Sequence, residues 1–326
     1  MTSKNILIIG GTIFLGRHIA EEGLRRGHSI TLFHRGIHGA ELFPTCEHIV
    51  GDRASNVEQL RGRSFDVVID TCGYKPGDLE LLAEVLAPCQ PHYIYISTIS
   101  VFASYPKGLS FSEDAPLAPG NDGYGPEKAR SEERVRDVYG DRATIIRPGL
   151  IVGPFDLTAR FTYWPTRIER GGTVLVPGSP DRSVQFIDVR DLAAWVIHCA
   201  STEVLGTYNA TGPDTRFTMN DLCGSCIRVT GSDAALTWID DETLLAQDVA
   251  PWKDLPLWIP EDDEEMGGMM LADVRSALDK GLTFRSCDET VRDTLTWHHQ
   301  AMPYAVHEAF STLSAEREAE ILRSVL

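Results

Sequence analysis

Short runs of apolar residues alternate with amphipathic stretches through the first half of this 326-residue chain. Ile6–Ile9, Ser29–Phe33, His48–Val50, Val67–Asp70, Tyr93–Ser97 and Thr144–Arg147 are continuous rather than alternating apolar runs. That is the pattern of strands covered on both faces. Between them the spacing becomes helical. In the clearest case Leu15, Ile19, Ala20 and Leu24 share a face and the pattern stops at Gly27, a residue suited to a helix C-terminus. Repeated β-α-β order predicts an α/β fold, a Rossmann-type doubly wound parallel sheet.

After Pro148 the texture changes. Residues 155–164 are rich in aromatics and arginine, and Gly171–Arg182 is loaded with glycine and proline. Val184–Val189 and Thr207–Ala210 read as strands returning to the sheet, with a helix from Arg190 to about Ala200 between them. The chain from Thr218 onward reads as helices, a short strand near Leu236–Ile239 and a Trp/Pro segment, Pro251–Trp258. The organisation expected is a nucleotide-binding unit over residues 1–150, rejoined by 186–212, and a smaller, discontinuous substrate lobe over most of 151–326. The acidic stretch Glu261–Glu265 reads as a solvated loop.

Charge narrows the partners. Forty-seven acidic residues against 30 basic ones leave a net charge of -17, and no basic run interrupts them. Such a field repels phosphate backbones and anionic membranes, so neither nucleic acid nor lipid is an expected partner. The opening run Ile6–Ile9 is too short for a signal core or a membrane span. Seven irregularly spaced cysteines suggest no disulfide framework, and a cytoplasmic setting is expected. Cys223 and Cys226 spell C-x-x-C inside an amphipathic helix pattern, and His298-His299 has no companion ligand set, so no metal site is expected.

The candidate chemistry begins right after the first strand, at Gly10-Gly-Thr-Ile-Phe-Leu-Gly16. Here the chain must turn tightly and bring backbone N–H groups to a pyrophosphate at the positive end of a helix. Gly10, Thr12, Ile13, Phe14, Leu15 and Gly16 are therefore the expected dinucleotide cradle. The second strand ends in Phe33-His34-Arg35 rather than in a carboxylate. Arg35, with His34, suits a 2′-phosphate, so NADP is expected, with NAD as the alternative. Asp52 and Arg53 after the third strand, and Cys72 and Gly73 after the fourth, complete the nucleotide side.

Tyr124-Gly-Pro-Glu-Lys128 puts a phenol and an ammonium four residues apart, on one helix face. Pro126 suits the first turn, and Asp122 is a candidate cap. The ammonium is expected to favour the phenolate, so that the phenol exchanges a proton with a substrate oxygen while a hydride moves at the nicotinamide. Thr98 or Ser100, after the fifth strand, would orient that oxygen.

In these motifs, and in Arg147-Pro-Gly-Leu-Ile-Val-Gly-Pro154 and Phe186-Ile-Asp-Val-Arg-Asp-Leu192, the chain resembles the short-chain dehydrogenase/reductase superfamily, in its extended or atypical, epimerase/dehydratase-like branch. The resemblance covers nearly the whole length. It implies a catalytic triad of Thr98, Tyr124 and Lys128, with Lys128 also on the nicotinamide ribose and Ser97, Pro148 and Gly149 along the cofactor. It implies substrate contacts from Ser100, Arg160, Tyr163 and Trp164, and a substrate-phosphate contact from Arg182. Phe161 belongs to the same loop, and Trp252 and Trp258 are candidates for an apolar wall. Three departures stand out. Ile13 replaces the usual middle glycine, Leu150 the asparagine of sugar-nucleotide enzymes, and Asp188 a histidine. The expected function is an NADP-dependent oxidoreductase for a small polar carbonyl or alcohol, with Tyr124 as general acid/base. The alternatives are a redox-neutral epimerase for a sugar or sugar nucleotide, and a non-catalytic NADP- or RNA-binding member resembling chloroplast stem-loop RNA-binding proteins. A homodimer through a helix pair is compatible with the family pattern.

Overall fold

The computed structural model describes residues 2–301 and 312–325. The first half runs β1 (Asn5–Ile9), α1 (Phe14–Arg25), β2 (Ser29–His34), β3 (Glu47–Val50), β4 (Val67–Asp70), α2 (Pro76–Leu86), β5 (His92–Ile96), α3 (Tyr124–Tyr139) and β6 (Ala143–Pro148). Next come β7 (Ile151–Val152), α4 (Tyr163–Glu169), β8 (Thr173–Pro177), β9 (Ile187–Asp188), α5 (Val189–Thr202) and β10 (Gly206–Ala210). The chain then continues through α6 (Met219–Thr230), β11 (Ala235–Ile239), α7 (Asp241–Ala246), α8 (Arg275–Asp279), α9 (Cys287–Ala301) and α10 (Ala315–Val325).

Seven strands form one parallel sheet in the order β10-β6-β5-β4-β1-β2-β3. Their apolar runs are buried on both faces, as continuous Ile/Val/Leu patterning requires: Ile6, Leu7, Ile8, Val67, Val68 and Ile69 have no exposed surface. α1 and α5 cover one face through Ile19, Ala20, Trp195 and Ile197. On the other face lie Leu82 and Val85 of α2 with Val135 and Tyr139 of α3. Strand order reverses at β1, between β2 and β4, so the helices diverge and open a crevice at the carboxyl ends of the strands.

Thr207–Ala210 does return to the sheet, within β10 beside β6. Val184–Val189 does not. Only Ile187–Asp188 forms a ladder there, with β7 and apart from the main sheet, while Val184 N–H and Phe186 N–H donate to Phe217 and Gly212 carbonyls. The reason is topological: the edge beside β6 is already taken by β10.

A second core gathers Leu150, Trp164, Ile168, Leu222, Trp258, Leu295 and Ile321, residues spread over the later half of the chain. The β8–β11 pair crosses it, and α4 packs on α6. α10 is tied in through Glu318, which accepts from Arg167 Nε at 2.5 Å and from Leu175 N–H at 2.9 Å.

Candidate functional site

One cleft of about 740 Å³ lies over the carboxyl ends of β1, β4, β5 and β6, a volume typical of small-molecule sites. Its floor is the glycine turn. Gly10 and Gly11 take φ of +105° and +93°, a region closed to most side chains. A Cβ on Gly16 would come within 2.6 Å of the Gly11 nitrogen, so the third glycine lets helix and turn meet. Ile13 is extended, at φ −129°, which explains why this position tolerates a side chain; the left-handed residue is Phe14, at φ +37°. α1 starts with no side-chain cap and no acid in its first turn. Its leading N–H groups therefore have no competing carboxylate, and the residues present fit a pyrophosphate.

The nucleotide end holds Thr12, Ile13, Phe14, Leu15, His34, Arg35, Asp52, Arg53 and Cys72. Their side chains differ in freedom. His34 is buried, with Nε2 2.8 Å from His48 Nδ1 and Nδ1 accepting from Gly36 N–H, so both its nitrogens are engaged. Burial and the neighbouring His48 lower its pKa, which leaves it neutral rather than a phosphate-binding cation. Arg53 grips Asp70 with two bonds of 2.8 and 2.9 Å. That pairing follows from burial: Asp70 has no exposed surface, and an unpaired carboxylate there costs several kcal/mol. Arg53 thus lines the cleft and Asp70 backs it, with both Arg53 Nη atoms committed and its Nε buried without a hydrogen-bond partner. Arg35 is exposed and has no ion pair among the described residues. Gly73 lies one layer back: its carbonyl accepts from Tyr95 Oη at 2.6 Å and Lys128 Nζ at 2.9 Å.

The other end is built by close backbone contact. A Cβ on Gly125 would sit 2.2 Å from the Ser100 carbonyl oxygen, so the start of α3 abuts the loop after β5. This brings Tyr124 beside Thr98 and Ser100. The α3 cap is Gly123, with no side-chain bond, and not Asp122. Tyr124 is half-exposed; burial raises its phenol above the usual value, opposed by the Thr98 hydroxyl and then by the Arg160 guanidinium. Lys128 is buried, and burial lowers its ammonium to about 8 against the pull of Asp70 and Glu132. Its Nζ donates to the carbonyls of Gly73 and of Ile96, the latter at 2.6 Å, and lies 4.2 Å from the centre of the Tyr95 ring. In this arrangement the Lys128 ammonium is anchored by backbone carbonyls and a ring face, one helical turn from Tyr124.

Below Lys128, one turn on, Glu132 fastens α3 to the sheet. It accepts from Arg147 Nε (2.9 Å) and Nη2 (2.6 Å) and from the Ser97 hydroxyl (2.6 Å), with all three residues buried. Ser97 reaches the cleft, but its hydroxyl serves this cluster. Pro148 and Gly149 line the cleft at the end of β6.

On the substrate side Ser100 and Arg160 reach the cleft. Tyr163, Trp164 and Arg182 do not. Trp164 is fully buried and donates to the Pro256 carbonyl at 2.9 Å, while Tyr163 and Phe161 pack with it in the second core. Their aromatic bulk is used for packing. Arg182, 4% exposed, donates to the Ile259 carbonyl and pairs with Asp241 at 3.3 Å. Trp258 is core, whereas Trp252 lines the cleft, joined by Tyr74, Gln185, Met269 and Met270. Of the four that join Trp252, only Tyr74 carried a sequence signal, its position just after Cys72-Gly73. The others arrive from distant segments that no local motif marks. Among the described residues no group of three or more His, Cys, Asp or Glu could hold a metal, and no helix is long and apolar enough to cross a membrane.

Residues 6–210, well over half of the chain, match the NAD dependent epimerase/dehydratase family. The chloroplast stem-loop binding protein of 41 kDa b from Arabidopsis thaliana is 28% identical over 249 residues, 71% of this chain. The chain spans 64% of that relative's length. Among solved structures, the Bordetella bronchiseptica enzyme WbmH in complex with NAD+ superposes with a TM-score of 0.68 at 18% identity, covering 92% of this chain and 99% of its own. UDP-glucuronic acid 4-epimerase from Bacillus cereus gives 0.67 at 16% identity, covering 90% and 98%. At such identities the likeness to both is one of fold.

Proposed function

The chain belongs to the NAD dependent epimerase/dehydratase family, and from that premise we propose that it is an NAD(P)-dependent enzyme, a redox-neutral epimerase of a small sugar, with Tyr124 as the acid/base group. The reading rests on Tyr124, Thr98 and Lys128 sharing one cleft with the glycine turn. A bound nicotinamide supplies hydride chemistry at the substrate carbon. The protein's own part is position and protons. The Tyr124 phenol exchanges the proton of the reacting hydroxyl, the Thr98 hydroxyl orients that oxygen, and Lys128, which would hold the nicotinamide ribose, keeps the carbonyls of Gly73 and of Ile96 at the end of β5 in register. Arg182, 4% exposed and bonded to Asp241 and the Ile259 carbonyl, lies outside the cleft, which supports a sugar without a nucleotide handle.

Two observations favour a second reading, net reduction of a carbonyl with NADPH. Arg35 stands exposed at the nucleotide end, where it suits a 2′-phosphate. A phenol held above its usual value keeps its proton at neutral pH and so begins as a donor. Stem-loop binding, which the Arabidopsis relative's name states of that protein, is opposed here by a net charge of -17.

The test is calorimetric titration with NADPH and NADH in parallel, on the parent and on Arg35→Ala, followed by a sugar and carbonyl screen with Tyr124→Phe as control. Interconversion of epimers without net change in nicotinamide absorbance, absent in Tyr124→Phe, is the expected result. NADPH-selective binding that Arg35→Ala abolishes, with stoichiometric cofactor turnover, would favour the second reading. Binding of neither dinucleotide would refute both.

A further inference from the structure

Two histidines support the nucleotide end of the cleft. His34 closes β2 and His48 stands beside it on β3, their rings perpendicular with centres 5.1 Å apart. Three hydrogen bonds run through the pair. Gly36 N–H meets His34 Nδ1 at 3.0 Å, His34 Nε2 meets His48 Nδ1 at 2.8 Å, and His48 Nε2 meets the Phe43 carbonyl at 3.2 Å. The two ends of this relay are backbone groups, and their roles are fixed: an N–H donates and a carbonyl accepts. His34 Nδ1 must therefore be bare, and His48 Nε2 must carry a proton. A ring bare at Nδ1 holds its proton on Nε2, so His34 donates to His48 Nδ1, which is bare in turn. Both rings are thus neutral Nε2–H tautomers, and every ring nitrogen has its partner.

We propose that His48 is a positioning residue for the dinucleotide, fixing through His34 the turn that presents Arg35 to the cleft. Arg35, Gly36, Ile37 and His38 all line the cleft, and the turn is left-handed at Gly36, with φ +72°. Three residues on, a Cβ on Gly39 would come within 2.9 Å of the Thr12 carbonyl oxygen, so the same loop lies against the glycine turn. Displacing the turn therefore disturbs both the Arg35 side and the pyrophosphate side of the site. His48 itself is not among the residues that line the cleft and acts only through His34. Without it, His34 Nε2–H loses its acceptor and the ring is free to take the Nδ1–H tautomer. That tautomer sets a second donor against Gly36 N–H, and the bond that ties the turn to β2 is lost. Phe43, at the far end of the relay, packs in the core that also holds Leu15 and Leu24 of α1, which anchors the relay in the fold.

The proposal rests on the cleft being a dinucleotide site, but the first arm of its test needs no cofactor. Long-range 1H–15N spectra of the full chain, labelled with imidazole-15N histidine, report each tautomer at neutral pH, the two rings being identified by their loss in His34→Gln and His48→Gln. Two Nε2–H rings are expected, and an Nδ1–H tautomer or an imidazolium at either position overturns the proposal. His48→Leu fills space without accepting a bond, whereas His48→Gln offers an acceptor to His34 and a donor to Phe43. Hydrogen exchange at the Gly36 amide should quicken about fivefold in His48→Leu and stay near the parent rate in His48→Gln, a contrast that a space-filling role would not give. The second arm titrates NADPH and NADH calorimetrically. His48→Leu should weaken NADPH roughly tenfold, the worth of one to two hydrogen bonds, and lower the ratio of NADPH to NADH affinity, while His48→Gln stays within about twofold of the parent. Parental affinities in His48→Leu overturn the proposal and leave the dinucleotide site standing, whereas a parent that binds neither dinucleotide removes the site itself. If His48→Leu does not fold, the tautomers of the parent decide.

Discussion

Replacing Arg147 by Met should cost the protein more than any comparable surface change. Arg147 is 1% exposed and Glu132 fully buried, and their two bonds of 2.9 and 2.6 Å make a fork that water does not reach. Arg147 Nη1 also donates to the Glu113 carbonyl at 2.8 Å. Met fills much of the volume but leaves the Glu132 carboxylate with Ser97 Oγ and the partly exposed Arg136 as its remaining partners. Breaking a buried pair from one side costs about 3–5 kcal/mol, because the cost is that of the charge left behind. In the double variant Arg147→Met/Glu132→Gln that charge is gone and the Ser97 hydroxyl keeps an acceptor, so stability should recover by about 2 kcal/mol relative to Arg147→Met. Urea unfolding followed by circular dichroism measures all three proteins. Dinucleotide affinity should follow the same order, since Glu132 fastens the helix whose Lys128 grips Ile96. A cost below about 1 kcal/mol for Arg147→Met, or a double variant no more stable than the single one, would refute the reasoning.

Two further expectations concern pH and partners. His92 is 8% exposed, bonded to Thr144 Oγ1 at 2.7 Å, and burial pushes its pKa from 6.5 down to about 4. The unfolded chain therefore binds more protons between those values. His92 contributes stability that is fully present above pH 6.5 and lost as pH falls toward 4, by roughly 3 kcal/mol in all. His92→Gln should flatten that part of the curve of Tm against pH, and an unchanged slope would show that other groups govern it. Structured RNA at low salt should leave the protein's mobility in a gel unchanged, and a salt-sensitive shift would reverse the partner expectation.

What the sequence determined by itself is what depends on near neighbours. Continuous apolar runs gave away doubly covered strands because burial of both faces removes the need for polar positions at every second residue. The glycine turn was legible because a strand, a tight turn and a helix N-terminus follow one another within a dozen residues, and Tyr124 and Lys128 were legible because helical geometry fixes residues four apart. The tertiary structure decided everything that turns on which distant group a polar atom meets. Lys128 was committed by carbonyls of the loop after β4 and of the end of β5, Arg53 by the end of β4, and Arg182 by Asp241 and Ile259. Met269 and Met270 reached the cleft beside Trp252 while the more conspicuous Tyr163 and Trp164 were drawn into a core. A side chain's type states what it can bond or bury, but packing against segments far away in sequence decides which of those options remains open.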